Sequence, residues 1–144
     1  MYDPVKRVVA AVHSGWRGTT MKVVKKTITM LTRFFRISPS DLMAVIGTSI
    51  GPESFSVHDD VINAFEAASF PVNDFCVQKD EDTFFFNLWE ANRWLLSESG
   101  VKLQNIRVVG ICSYISHNEF YSARYEKNNK CGRTINAIKL ISLK

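Results

Sequence analysis

Apolar and polar positions along the chain set out an alternation of strands and helices. Residues 7–12 (Arg7, Val8, Val9, Ala10, Ala11, Val12) form a β-branched and alanine run, which predicts a strand buried on both faces, near the middle of a sheet. From Thr19 to about Phe35 the apolar positions Met21, Val24, Ile28, Leu31 and Phe35 recur at three- and four-residue intervals, with Lys22, Lys25, Lys26 and Arg33 on other faces. That spacing predicts an amphipathic helix packed on the sheet. Ser38-Pro39-Ser40-Asp41 carries cap and turn chemistry for one short helical turn, and residues 42–46 read as a second buried strand. His58-Asp59-Asp60 can cap a helix that buries Val61, Ile62, Phe65 and Ala68.

Further along, residues 70–82 hold Pro71, Asn73 and acids between apolar residues, which predicts an exposed connection with one short extended piece. Residues 83–86 predict a short strand, and a helix from Asn87 to about Ser99 places Leu88, Ala91, Trp94 and Leu95 on one face, with Gly100 as its C-terminal cap. Residues 106–112 form the third buried run, residues 127–132 a polar turn, and residues 135–143 a last strand. The whole of residues 1–144 is thus expected to be one mixed α/β domain, its helices packed on a single mixed sheet.

Composition narrows the class without changing that picture. A hydrophobic share of 46% and a charged share of 22% are those of a soluble globular domain, and no apolar stretch is long enough to span a membrane. The net charge of +4 comes from scattered Lys and Arg, with one cluster on the first helix that reads first as a solvated face and otherwise suits an anionic small molecule before nucleic acid; charge alone decides no partner, and neither nucleic acid nor a membrane is expected. The three cysteines, Cys76, Cys112 and Cys131, show no CxxC spacing, so neither a disulfide framework nor a zinc knuckle is expected. A reducing, cytoplasmic setting follows, and the first residues do not have the pattern of a signal peptide.

Candidate chemistry gathers where the three buried runs end. The first run opens into His13-Ser14-Gly15-Trp16-Arg17-Gly18, which joins a titratable imidazole, an indole and a guanidinium at a strand end, the place where open α/β folds put their ligands. Its glycines permit a sharp turn or a close approach to a ligand, and Arg17 with the helix start beyond it could receive an anion. The structural alternative stands beside this: a histidine at a strand end is as readily a hydrogen-bonded structural residue, Trp16 a packed aromatic, Arg17 a solvated charge. The second run opens into Gly47-Thr48-Ser49-Ile50-Gly51-Pro52, which taken by itself reads first as a connecting loop. The third opens into a polar stretch with Ser113, Tyr114, His117, Tyr121, Ser122 and Arg124. His58, at a helix start, reads as structural or exposed.

The order of short motifs is more specific than these patterns. His13-Ser14-Gly15-Trp16-Arg17-Gly18-Thr19, Ile46-Gly47-Thr48-Ser49-Ile50-Gly51-Pro52, Asn87-Leu88-Trp89-Glu90-Ala91-Asn92, Cys112-Ser113-Tyr114, and Phe120-Tyr121-Ser122-Ala123-Arg124 with Gly132-Arg133 together resemble the laccase-domain family. Members of that family are known as polyphenol oxidases and as purine nucleoside phosphorylases with adenosine deaminase activity. The resemblance implies a purine nucleoside and phosphate as substrates. Within it, His13 and Arg17 are the catalytic candidates, and Ser49, Ser122 and Arg124 the candidates for holding ribose or phosphate oxygens.

The resemblance also implies a zinc site of two histidines and one cysteine, of which only His13 has a counterpart here. The family's Cys, in a Thr-Ala-Asp-Cys segment, and its other His precede the strand that leads into His13, so the chain resembles the C-terminal portion of a family member. None of Cys76, Cys112 or Cys131 stands where that Cys stands. One imidazole does not hold zinc tightly, so the chain alone is expected to bind the ion weakly, if at all, and to be inactive; an upstream segment or a second chain would complete the site. Two smaller departures are Ser56-Val57-His58, where members often have Glu-Val-Gly, and Tyr125, where a second Arg is common. A non-catalytic binding or regulatory domain of the same fold is the alternative. A copper polyphenol oxidase is the third reading, for which His13, His58 and His117 are too few ligands.

Overall fold

The structure is a computed structural model that describes residues 1–127 and 131–141. In chain order its elements are β1 (Tyr2–Asp3), β2 (Val8–Val9), α1 (Trp16–Thr20), α2 (Val23–Phe35), β3 (Ala44–Ile46), β4 (Ser56–Val57), α3 (Asp59–Ala67), β5 (Cys76–Gln78), β6 (Phe84–Phe86), α4 (Leu88–Glu98), β7 (Ile106–Val108) and α5 (Ala123–Glu126). The class is mixed α/β, as the alternation predicts, with the strands divided among three small sheets. Two compact units result. The first comprises Met1–Ile46, Asn92–Val108 and the segment from Asn136; the second comprises Gly47–Ala91 and Val109–Ile135. No helix of the described residues is long and apolar enough to cross a membrane.

In the first unit β1 and β2 form an antiparallel hairpin, with Tyr2 opposite Val9 and Asp3 opposite Val8. Asp3 is fully buried and closes the turn by accepting the backbone N–H groups of Val5 (2.8 Å) and Lys6 (2.7 Å) on Oδ1. Tyr2 also exchanges two 2.8 Å backbone bonds with Met43. The strand expected over residues 7–12 is therefore only Val8–Val9, and both residues are half-exposed, because a two-stranded ribbon cannot bury a strand on both faces.

Residues 42–46 and 106–112 were expected to be buried strands; they contribute β3 and β7, paired in parallel with Ala44 opposite Ile106. Burial follows the two-residue period of a half-covered sheet: Ala44 and Ile106 are buried, whereas Val45 is 63% exposed and Arg107 is also exposed. The aliphatic interior of this unit includes Val24, Ile28 and Leu31 of α2, Leu42, and Leu95 and Leu96 of α4.

The helix expected from Thr19 to Phe35 is broken in two. Thr19 and Thr20 turn their hydroxyls back onto the carbonyls of Gly15 (3.0 Å) and Arg17 (2.9 Å), and Lys22 takes the left-handed conformation, φ 55°. The break leaves Met21 outside α2, and Phe35 is the last residue before left-handed Arg36; both are exposed rather than on the core face. The Ser38–Asp41 stretch does form a 3-10 turn, over Pro39–Asp41. Gly100 takes φ +92° just beyond α4, as its cap role requires, and a Cβ there would meet Pro39 at 3.1 Å. Residues 135–141 form no strand among the described residues, having found no sheet partner, and Ile135 and Ile141 are both well exposed; residues 142 and 143 of that expectation lie outside the described residues, as do residues 128–130 of the polar turn.

The second unit is built around aromatic rings. β6 is the centre of an antiparallel β4–β6–β5 sheet, with Phe85 opposite both Ser56 and Val77. Phe86 and Phe65 of α3 are fully buried, their ring centroids 4.3 Å apart, and Phe70 meets Phe65 edge-on at 5.1 Å. Residues 70–82 are exposed at Asn73, Asp74 and from Val77 to Asp82, with β5 as the one short extended piece expected there, but Phe70, Val72 and Phe75 are buried and add to the core. At the β5–β6 turn, a hydrogen bond from the Thr83 hydroxyl holds the Asp80 carboxyl below its ordinary value, helped by backbone donors and Lys79.

Candidate functional site

The first unit carries His13 and Arg17. Gly15 precedes α1 in an extended conformation, φ −68°, and a Cβ on it would sit 3.4 Å from His13 Nε2, so backbone alone faces that side of the imidazole. His13 is exposed and forms no hydrogen bond among the described residues. Arg17 is also exposed, its guanidinium lying 4.2 Å from the centroid of the Trp16 ring, a cation–π contact that holds the charge at the surface. The helix begins at Trp16 rather than near Thr19, so Arg17 belongs to its first turn instead of preceding it.

What holds this segment is buried beneath it. Thr19 is fully buried, 3.0 Å from Ser14 Oγ, and accepts from the side-chain amide of Asn92 on α4 at 3.1 Å. Asn92 is itself 7% exposed. Its place four residues from Leu88 and from Leu96 puts a polar group on an otherwise apolar helix stripe, a signal that the sequence carries and that pattern reading passed over.

The second unit carries Ser49, Ser122 and Arg124. Ser49 sits in a clamp: its N–H donates to Ile111 O (3.4 Å), its carbonyl accepts from Ser113 N (2.9 Å), and its hydroxyl accepts the Trp89 indole N–H at 2.6 Å. Two residues on, Gly51 N–H donates to the buried Cys112 Sγ at 3.1 Å. Arg124 Nη1 donates to both the carbonyl (3.0 Å) and the hydroxyl (3.1 Å) of Ser56, and its guanidinium lies 5.5 Å from the Phe55 ring. Ser49 is thus held by Trp89, Ile111 and Ser113, and Arg124 by Ser56. Ser122 is buried and its hydroxyl caps α5 by accepting Tyr125 N–H at 3.4 Å. Tyr125, at the position where the family often has Arg, stacks on His117 at 3.6 Å. Gly132 is explained by Tyr121, whose ring would lie 2.6 Å from an added Cβ. His58 is exposed and its Nδ1 lies 2.7 Å from Asp82 O, a structural role.

The donor set does not make a complete zinc or copper centre. Among the described residues no group of three His, Cys, Asp or Glu side chains could hold a metal ion, and a protein zinc site needs three or four such ligands. Burial pushes the Cys76 thiol up, away from the thiolate form that ligates metal.

The family model described as "Multi-copper polyphenol oxidoreductase laccase" matches residues 1–141. A purine nucleoside phosphorylase of Bacteroides thetaiotaomicron is 37% identical over 139 residues, 96% of this chain and 51% of that protein. Adenosine deaminase RL5, from an unknown prokaryotic organism, is 34% identical over 139 residues, 96% of this chain and 52% of that protein. The crystal structure of hypothetical protein YfiH from Bacillus licheniformis superimposes with a TM-score of 0.83 at 30% identity, over 88% of this chain and 48% of that one. The chain therefore spans about half the length of these relatives. With its ordered motifs, its fold and a match along nearly the whole sequence in agreement, the chain belongs to the multi-copper polyphenol oxidoreductase laccase family, the laccase-domain family.

Proposed function

We propose that this chain carries part of the active site of a purine nucleoside-processing enzyme, a phosphorylase with adenosine deaminase-type relatives. The observation that carries this reading is the exposed pair His13 and Arg17 on a segment fixed from below by Thr19 and Asn92. Phosphorolysis forms a bond between a phosphate oxygen and the ribose anomeric carbon and breaks the bond from that carbon to the purine, which leaves with the electron pair and takes a proton. Arg17 supplies a planar fork of N–H donors suited to phosphate. His13 supplies an imidazole whose ring nitrogens can donate or accept a hydrogen bond to the reacting group. Within the second unit, Ser49 and Ser122 are candidates for holding a ribose or phosphate oxygen, and Arg124 for holding an anion through the N–H groups that Ser56 leaves unused.

The names of the relatives, a purine nucleoside phosphorylase and an adenosine deaminase, support nucleoside chemistry over the phenol oxidation in the family's description. Zinc is the ion implied by the resemblance, and we assign it no step here, because His13 is the one ligand position of that resemblance with a counterpart in this sequence. Its other ligands would come from an upstream segment or a second chain, and a cytoplasmic setting suits the free thiols. The binding-domain reading draws on the same fact, that the chain covers about half of each relative.

The test is direct. The purified chain, incubated with inosine and phosphate, is expected to release negligible ribose 1-phosphate and to hold less than one equivalent of zinc by elemental analysis, while binding phosphate in a way that Arg17→Ala abolishes. Stoichiometric zinc with turnover would refute the shared-site reading. Phosphate binding indifferent to Arg17→Ala would refute the role of that residue.

A further inference from the structure

We propose that Trp89 is a positioning residue that fixes Ser49 as a hydrogen-bond donor toward an anionic oxygen, that of the phosphate co-substrate; the identity of the anion rests on the reading above. An indole N–H can only donate, so at 2.6 Å the Ser49 oxygen is the acceptor. The Ser49 hydroxyl proton must then point elsewhere. Its one acceptor among the described residues is Gly47 O at 3.4 Å, well beyond the usual O–H···O distance. The serine is left half-buried with a donor to offer, and accepting from Trp89 polarises that O–H and strengthens it as a donor.

Both ends of the contact are held. Ser49 is paired through its backbone with Ile111 and Ser113. Trp89 stands in the first turn of α4, where the Asn87 side chain accepts Glu90 N–H at 3.0 Å and Asn87 N–H donates to Phe75 O at 2.7 Å. A donor fixed in this way favours an oxygen that bears no proton, as phosphate does, because such an oxygen makes a charge-assisted bond.

The experiment uses the whole chain labelled with nitrogen-15. Its three tryptophans give three indole signals, and Trp89→Phe identifies the one from Trp89. Inorganic phosphate is titrated in at constant ionic strength, with chloride as the control. The Trp89 indole signal is expected to shift saturably with phosphate, Ser49→Ala to abolish that shift, Ser49→Thr to keep it, and Trp89→Phe to weaken phosphate binding by about tenfold, the scale of one net hydrogen bond lost from the pair that orients the donor. A Trp89 shift that persists in Ser49→Ala overturns the proposal. So does a phosphate response at the Trp16 indole, beside Arg17, with none at Trp89, while the reading of Arg17 then stands. No response at either indole overturns both.

Discussion

The segment from His13 to Thr20 in one unit and residues 47–57 in the other present polar side chains, but they are held in different ways. In the first, the reactive groups are left open. Among the described residues His13 makes no hydrogen bond, and the Arg17 guanidinium lies over the Trp16 ring, while the restraint comes from a hydroxyl–amide contact buried beneath them. In the second, the polar groups themselves are engaged: Ser49 by Trp89, Arg124 by Ser56, Gly51 by Cys112. The difference separates two tasks. An open imidazole and guanidinium can meet a reacting group, whereas a serine locked by an indole can only hold something in one orientation.

The largest test of that contrast falls on the aromatic unit. Phe86 is fully buried against Phe65, and its backbone N–H binds Phe55 O at 3.0 Å, so the ring supports the engaged loop. Phe86→Ala is expected to cost about 3–5 kcal/mol in urea unfolding and to strip hydrogen-exchange protection from residues 47–57 ahead of α2. Equal loss in both places would break the comparison. Next comes Thr19→Val, which keeps the side chain's shape but removes its hydroxyl; it is expected to cost about 1–3 kcal/mol and to speed amide exchange from Gly15 to Met21. A cost below about 0.5 kcal/mol, the range of an ordinary surface change, would show that the buried contact does not hold the open segment.

The smallest effect concerns pH. Asp80 is fully exposed and its carboxyl is held down chiefly by the Thr83 hydroxyl, so its contribution to folding is present above the ordinary carboxylate range and fades as pH falls through its folded value. Thr83→Val is expected to move the Asp80 titration upward in a carboxyl NMR measurement with almost no change in stability at neutral pH. An unmoved titration would contradict the assignment.

Periodicity and punctuation made α3, α4, β6 and the cap at Gly100 legible, because each has a regular apolar spacing or a residue type that only one conformation suits. The same method failed where backbone geometry intervened. Left-handed Lys22 changed the register that had placed Met21 with the core. Pro71, Asn73 and Asp74 signalled surface, yet they form a tight 3-10 turn that turns Phe70, Val72 and Phe75 inward. The candidate residues His13 and Arg17 of one unit and Ser49 and Arg124 of the other could be named from motifs. Their supports could not, since Trp89 meets Ser49 across 40 residues and Asn92 meets Thr19 across 73, distances that no local pattern spans.

We propose that His13 belongs to a nucleoside-cleaving site. The most direct measurement is ribose 1-phosphate release from inosine by a longer form carrying an upstream Cys and His. Turnover that falls at least about a hundredfold on His13→Ala is the predicted result. Zinc binding by that form with inosine left intact, or turnover unchanged by His13→Ala, would contradict it.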